Sequence, residues 1–174
     1  IANAGISIGM DTSVREDLEV LQRVMSTNVM GMAATFHPFI EAMKSRAAQD
    51  KPHGVVGTLV GIASVAGIRG MPGHAAYCAS KAAVGAITRV LAVEWASKGI
   101  RVVDVAPGYI QTDLNADAMA SGSPLRQYLD KRIPGREPGT AADVGALVAA
   151  MFTPAGKFLS GETIYVDGGQ SIAH

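Results

Sequence analysis

Cysteine is nearly missing from this 174-residue chain, with Cys78 the only one. One thiol cannot close an internal disulfide or build a multi-cysteine metal site, so a reducing, cytoplasmic setting is expected. The histidines His37, His53, His74 and His174 show no ligand spacing, and no metal is expected. Charge of one sign is missing too. Fifteen basic and fifteen acidic residues cancel, which argues against nucleic acid or an anionic membrane as partner and points to a small uncharged molecule. There is no long uninterrupted apolar run of the kind a membrane span requires. Internal repeats, low-complexity tracts and interdomain linkers are absent, as are an initiator methionine and a signal-peptide pattern. The chain opens on Ile1-Ala2-Asn3-Ala4-Gly5 as if entered at the end of a strand.

What is there is a hydrophobic content of 48% against 17% charged residues, with a mean hydropathy of +0.23, enough for one continuous core. Ser13-Val14-Arg15-Glu16 has capping-box spacing and opens a helix. Its apolar stripe runs through Leu18, Leu21, Met25, Val29, Met32, Phe36, Phe39 and Met43. Asn28 lies on that stripe, and Pro38 is expected to kink the helix or end its first section. Residues 45–54 read as a surface loop. Residues 55–63 are apolar and β-branched, a strand buried on both faces that ends at Ser64. After the glycine-bearing loop 67–74, a helix runs to Lys98-Gly99, a basic last turn followed by glycine. Residues 100–106 are a second buried strand closed by Pro107-Gly108. Residues 109–139 hold little periodicity beyond a short helix near 125–131 and read as a long functional excursion. A capped helix from Thr140 to about Phe152 and a strand over 163–166 complete the chain. Alternating strands and helices predict an α/β fold, a doubly wound parallel sheet with helices on both faces and ligands at the carboxyl ends of its strands.

Ser64, Pro107-Gly108 and Gly5 all fall at those strand ends. Tyr77 and Lys81 stand four apart near the start of a helix, hence on one face. A phenol ordinarily titrates near ~10. A nearby cation favours the phenolate, and the Ser64 hydroxyl can bond the same substrate oxygen, a proton-transfer apparatus for a C–OH or C=O group. Nothing in it moves electrons, so a hydride carrier is needed.

Ser64 with Tyr77-Cys78-Ala79-Ser80-Lys81 resembles the Ser and Tyr-x-x-x-Lys site of the short-chain dehydrogenase/reductase family. Asn3-Ala4-Gly5, Asn28 within STNVMG, Pro107-Gly108 with Thr112, and SGETIYVDGG resemble further motifs of that family in their usual order. The last of these is similar to the 3-oxoacyl-carrier-protein reductase branch. The resemblance implies a Rossmann-like domain spanning residues 1–174, a carbonyl/alcohol oxidoreductase using NAD or NADP, and a homodimer or homotetramer associating through the small-residue face Ala79, Ala82, Ala83, Gly85 and Ala86. It also implies roles. Tyr77 is the acid/base, Lys81 lowers its pKa and holds the nicotinamide ribose, Ser64 polarises the carbonyl, and Asn28 holds a water in a relay to Lys81. Pro107 and Gly108 line the nicotinamide. Ile110 and Thr112 meet its carboxamide or a phosphate, and Asn3, with Ala4 and Gly5, braces the adenosine half. Residues 109–139 become a substrate-binding lid. The N-terminal strands and glycine-rich turn of the family have no counterpart in this sequence.

Each signal has a plainer reading. Tyr77 and Lys81 fit a packed ring and a snorkelling amine, Ser64 a strand-end cap, and Asn28 a satisfied buried amide. Pro107-Gly108 fits a simple turn, Thr112 a local backbone bond, and Cys78 a packed thiol. Whether the chain acts as an enzyme or as a non-catalytic oligomerisation or partner-binding module stays open on sequence alone. IASVA is not a nucleophile elbow, which disfavours a serine hydrolase.

Overall fold

The computed structural model of the chain describes residues 1–9, 17–50 and 54–173. The capping spacing at Ser13 to Glu16, His53 and His174 lie outside these described residues. In chain order the elements are α1 (Leu18–Met25), α2 (Gly31–Asp50), β1 (Gly57–Ile62), α3 (Ala75–Trp95), β2 (Ile100–Pro107), β3 (Ile110–Gln111), α4 (Pro124–Arg132), β4 (Gly139–Thr140), α5 (Ala141–Ala150) and β5 (Thr163–Val166).

The sheet is parallel, in the order β1-β2-β5. Ala2 extends it on the far side of β1 by pairing with Gly61, its N–H donating to the Val60 carbonyl at 2.8 Å while its carbonyl accepts from the Ile62 N–H at 3.1 Å. Strand alternation divides β2 between two cores. Ile100, Val102 and Ala106 pack with Met32, Phe36, Ile40 and Val84 under the α2–α3 layer. Val103 and Val105 pack with Val60, Val148 and Met151 under α5. Helices therefore cover both faces, as the alternating pattern predicts.

The first helix departs from the sequence expectation. Asp17 caps α1, its carboxylate accepting from the Val20 N–H at 2.8 Å. Residues Ser26–Met30 form a π-helical turn, and α2 continues through Pro38 to Asp50. Pro38 leaves only the Ala34 carbonyl without its helical donor, and both residues are exposed, so water can satisfy it and no break follows. The extra residue in the π turn rotates the helix surface by one position. Hence Val24 and Asn28, rather than Met25 and Val29, continue the buried line of Met32, Phe36 and Ile40, while Leu18, Leu21 and Phe39 stay exposed. The helix also takes in residues 45–50, which the sequence reading assigned to a loop.

The segment Ala75–Lys98 has a mean hydropathy of 1.3 over its apolar window, long and apolar enough by composition to cross a bilayer, although it lacks an uninterrupted apolar run. Here it is the central helix, with Ala76, Val84, Thr88 and Ala92 buried. Gly85 is also buried, so it does not belong to the outward small-residue face, which Ala79, Ala82 and Ala86 form. Gly67 permits the loop after β1 to lie on the α3 backbone, since a Cβ there would meet the Lys81 carbonyl at 3.1 Å. Gly99 at φ +70° ends the helical stretch, the left-handed position that glycine adopts without strain.

Residues 109–139 are more ordered than their composition suggests. β3 and β4 pair in parallel, Ser123 caps α4, and Met119, Leu129 and Ile133 form a small core against Tyr109 and Leu125.

Candidate active site

β1 ends where Ser64 begins a 3-10 turn, its hydroxyl accepting from the Ala66 N–H at 3.1 Å. The turn aims Ser64 at the first turns of α3, where Tyr77 stands. Burial pushes the Tyr77 phenol above its ordinary value, a hydrogen bond from the Ser64 side chain draws it partly back, and Cys78 adds to the rise. One turn on, Lys81 is buried, donates its ammonium to the Ile62 carbonyl at 2.7 Å, and lies 5.7 Å from the Tyr77 ring centroid. Burial lowers the Lys81 pKa to about 8. The expected lowering of Tyr77 by Lys81 is therefore reversed in the protein alone. Desolvation outweighs the Ser64 bond, and the ammonium is directed to a strand-end carbonyl beneath the ring.

Asn28, in the π turn, is 2% exposed and fully engaged. Its Oδ1 accepts from the Ile6 N–H at 2.8 Å, and its Nδ2 donates to the Ile6 carbonyl and to Ser80 Oγ, both at 2.9 Å. Ser80 Oγ in turn donates to the Tyr77 carbonyl at 2.7 Å. The amide thus ties the segment after Ala2 to the turn that carries Tyr77. Gly5 sits between the two side chains, for a Cβ there would lie 3.4 Å from both Asn28 Oδ1 and Lys81 Nζ. Asn3 and Ala4 are exposed. The sequence reading overlooked Ser80, whose burial within the Tyr-to-Lys turn is a tertiary fact.

Two cavities meet at Tyr77. The larger, about 780 Å³, is lined by Ser64, Tyr77, Asn3, Pro107, Gly108, Ile110 and Thr112, together with Val65, Met71, Tyr109, Asn115 and Met119, which the sequence did not single out. The smaller, about 250 Å³, holds Gly5, Lys81 and Asn3 beside Ser64, Tyr77, Pro107 and Gly108. Ala4 lines neither. Gly108 is required by packing, because a Cβ there would meet Gln170 Oε1 and the Asp167 side chain at 2.8 Å. Thr112 is exposed, its N–H donating to Asn115 Oδ1 at 2.8 Å, and the Ile110 carbonyl accepts from Asn115 Nδ2 at 2.9 Å. Among the backbone groups expected to meet a ligand, that carbonyl already has a partner.

A parallel α/β sheet thus gathers a phenol, a hydroxyl and an ammonium at the carboxyl ends of its strands. A family model described as Enoyl-(Acyl carrier protein) reductase matches residues 1–171. The chain belongs to the short-chain dehydrogenase/reductase family. It is 34% identical over 172 residues to 3beta-hydroxysteroid dehydrogenase 1 of Eggerthella lenta, covering 99% of this chain and 62% of that protein. To the 3-oxoacyl-(acyl-carrier-protein) reductase of Rickettsia conorii it is 35% identical, covering 97% of this chain and 65% of the relative. Among solved structures, ElxO with NADP bound superposes with a TM-score of 0.86 at 27% identity, over 97% of this chain and 64% of that one. A gluconate 5-dehydrogenase from Burkholderia cenocepacia in complex with NADP and tartrate gives 0.87 at 27% identity, over 99% and 64%. The chain thus spans a little over three fifths of each of these relatives.

Proposed function

We propose that the protein interconverts a carbonyl and a secondary alcohol by hydride transfer with NAD(H) or NADP(H). The observation that carries the reading is the convergence of Tyr77 and Ser64 on one cavity, with the Lys81 ammonium 5.7 Å from the phenol ring. In the reducing direction Ser64 donates a hydrogen bond to the carbonyl oxygen and Tyr77, kept protonated by its burial, gives its proton to the nascent alkoxide. Lys81, still mostly protonated at neutral pH, stabilises the phenolate that remains. In the oxidising direction the same groups run in reverse.

The nicotinamide dinucleotide supplies the hydride. The residues present suit its nicotinamide–ribose half. Lys81 has donors beyond the one given to Ile62, Gly5 leaves an open approach between Lys81 and Asn28, and Asn3, Pro107 and Gly108 line the adjoining wall. Asn28 positions Tyr77 and Lys81, and a water between its turn and Lys81 would extend a proton relay. Ile110 and Thr112 stand at the lid end, where the carboxamide or a phosphate would reach. Residues 109–139 serve as the substrate-binding lid of a single partial Rossmann-type domain.

Purified protein with NADH or NADPH and a ketone panel should consume nicotinamide absorbance, and Tyr77→Phe should abolish this while leaving the circular dichroism spectrum unchanged. Failure of both dinucleotides to bind would favour a non-catalytic module. The exposed outer faces of α1 to α3 carry Leu18, Met30, Val90 and Val93 beside Ala79, Ala82 and Ala86, a surface suited to a second copy of the chain. Light scattering should report a dimer or tetramer, and a monomer at all concentrations would refute this association.

A further inference from the structure

Ser64 and Tyr77 share the larger cavity with side chains from three separate segments: Val65 and Met71 after β1, Tyr109 after β2, and Met119 from the lid. Val65 is 6% exposed and Met119 is 3% exposed, so these walls are packed in place rather than free to turn outward. Among the described residues that line this cavity, none has a charged side chain. Lys81 belongs to the smaller cavity and has given one donor to Ile62, and Arg69, which acts on the Tyr109 hydroxyl, donates to the Gln170 carbonyl.

Some of the polar wall groups are committed, while Asn3, Ser7 and Thr112 also line this wall. The Asn115 amide is engaged at both ends, by the Thr112 N–H and the Ile110 carbonyl. Ser64 already accepts from the Ala66 N–H and keeps its own proton to donate. Burial pushes the Tyr109 phenol up, so it stays neutral, and its hydroxyl end is close enough to Tyr128 and Arg69 to feel both. What Tyr109 adds to the wall is its ring.

From this geometry we propose that the substrate is an uncharged ketone or secondary alcohol on a predominantly hydrocarbon body, gripped by Val65, Met71, Tyr109 and Met119. The inference rests on the hydride-transfer reading and narrows it. A substrate carboxylate entering here would lose its hydration without gaining a side-chain counter-ion. A polyol would surrender hydrogen bonds to water that the few polar side chains here, Asn3, Ser7 and Thr112 among them, replace only in part. A hydrocarbon body gains on every buried methylene, and the two methionines accommodate an irregular outline.

The test compares 2-octanone with 7-oxooctanoate, which has the same chain length and a remote carboxylate, using the purified protein and each dinucleotide. The ketone is expected to exceed the keto acid in kcat/KM by roughly 30-fold or more, and kcat/KM should rise about threefold to fourfold per methylene from 2-butanone to 2-octanone. Met71→Lys should narrow the gap between the two eight-carbon compounds at least ~10-fold by supplying the missing counter-charge. Calorimetric titration of both compounds gives a readout that does not need turnover, and 2-octanone should bind more tightly. Equal or better use or binding of 7-oxooctanoate, or a flat response to chain length, overturns the proposal. Absence of turnover with any ketone sinks the hydride-transfer reading alone, because the binding preference still decides the character of the cavity.

Discussion

Two polar clusters lie one helical turn apart at the start of α3, and they are finished differently. In the first, Asn28 spends its amide on both backbone groups of Ile6 and on Ser80, and Ser80 closes the loop on the Tyr77 carbonyl. In the second, Tyr77 and Ser64 touch one another and otherwise face a cavity of about 780 Å³. A buried group with every bond made holds the backbone, whereas a half-buried group with bonding capacity left over has something to offer a ligand. The contrast sets Asn28 and Ser80, whose bonds are made, apart from Tyr77 and Ser64, which face the cavity and carry the chemistry in the function proposed above, with Lys81 between them.

The contrast breaks first, if it breaks, at Tyr77. Removing its hydroxyl leaves the ring packed, so Tyr77→Phe should cost about 10²- to 10⁴-fold in kcat with little change in thermal stability. A large loss of stability with activity per folded molecule intact would move Tyr77 to the scaffold side. The next effect falls on Asn28. Alanine there strands the Ile6 N–H, the Ile6 carbonyl and the Ser80 hydroxyl, and is expected to cost roughly 2–4 kcal/mol in denaturant unfolding. Should Asn28→Ala instead unfold normally and lose turnover, the amide acts in the proton relay that the sequence motif suggests rather than as a clasp.

The sequence carried the sheet and the reactive trio because both are written locally. The β-branched runs at 55–63 and 100–106 read as strands buried on two sides, and the four-position step from Tyr77 to Lys81 places them on one helix face whatever surrounds them. What it did not carry depends on partners distant in the chain. The π turn at Ser26–Met30 has no compositional mark, yet it rotates Asn28 inward and shifts the buried stripe by one residue. The direction of the Tyr77 shift likewise depends on how deeply α3 sinks against the sheet, which no spacing encodes. Residues 109–139 looked unstructured because β3 and β4 have two residues each, too short for any alternation to register.

A third polar group sharpens the comparison because it mixes the two cases. Asp104, at the centre of β2 beneath α3, is fully buried like Asn28 but incompletely bonded like Tyr77. Its Oδ2 accepts from Thr163 Oγ1 at 3.0 Å, while its Oδ1 has no partner. Burial raises its pKa, opposed by the bond to Thr163 and by smaller contributions from Thr88 and Arg89. The sign follows directly. A carboxyl whose folded pKa is raised favours folding fully below the ordinary carboxyl value, and that contribution is lost as pH climbs through the folded pKa. Above that folded pKa the chain carries a buried, partly unpaired carboxylate. Asp104→Asn keeps the shape, removes the charge and supplies a donor toward Thr88 Oγ1, itself without a fully formed bond. The variant should be more stable by about 1 kcal/mol at pH 8 and indistinguishable near pH 4, with kcat unchanged. Denaturant melts at the two pH values decide it. If Asp104→Asn is neutral at both, burial without full bonding is tolerated in the scaffold, and the number of unmade bonds no longer separates structure from chemistry beneath this helix.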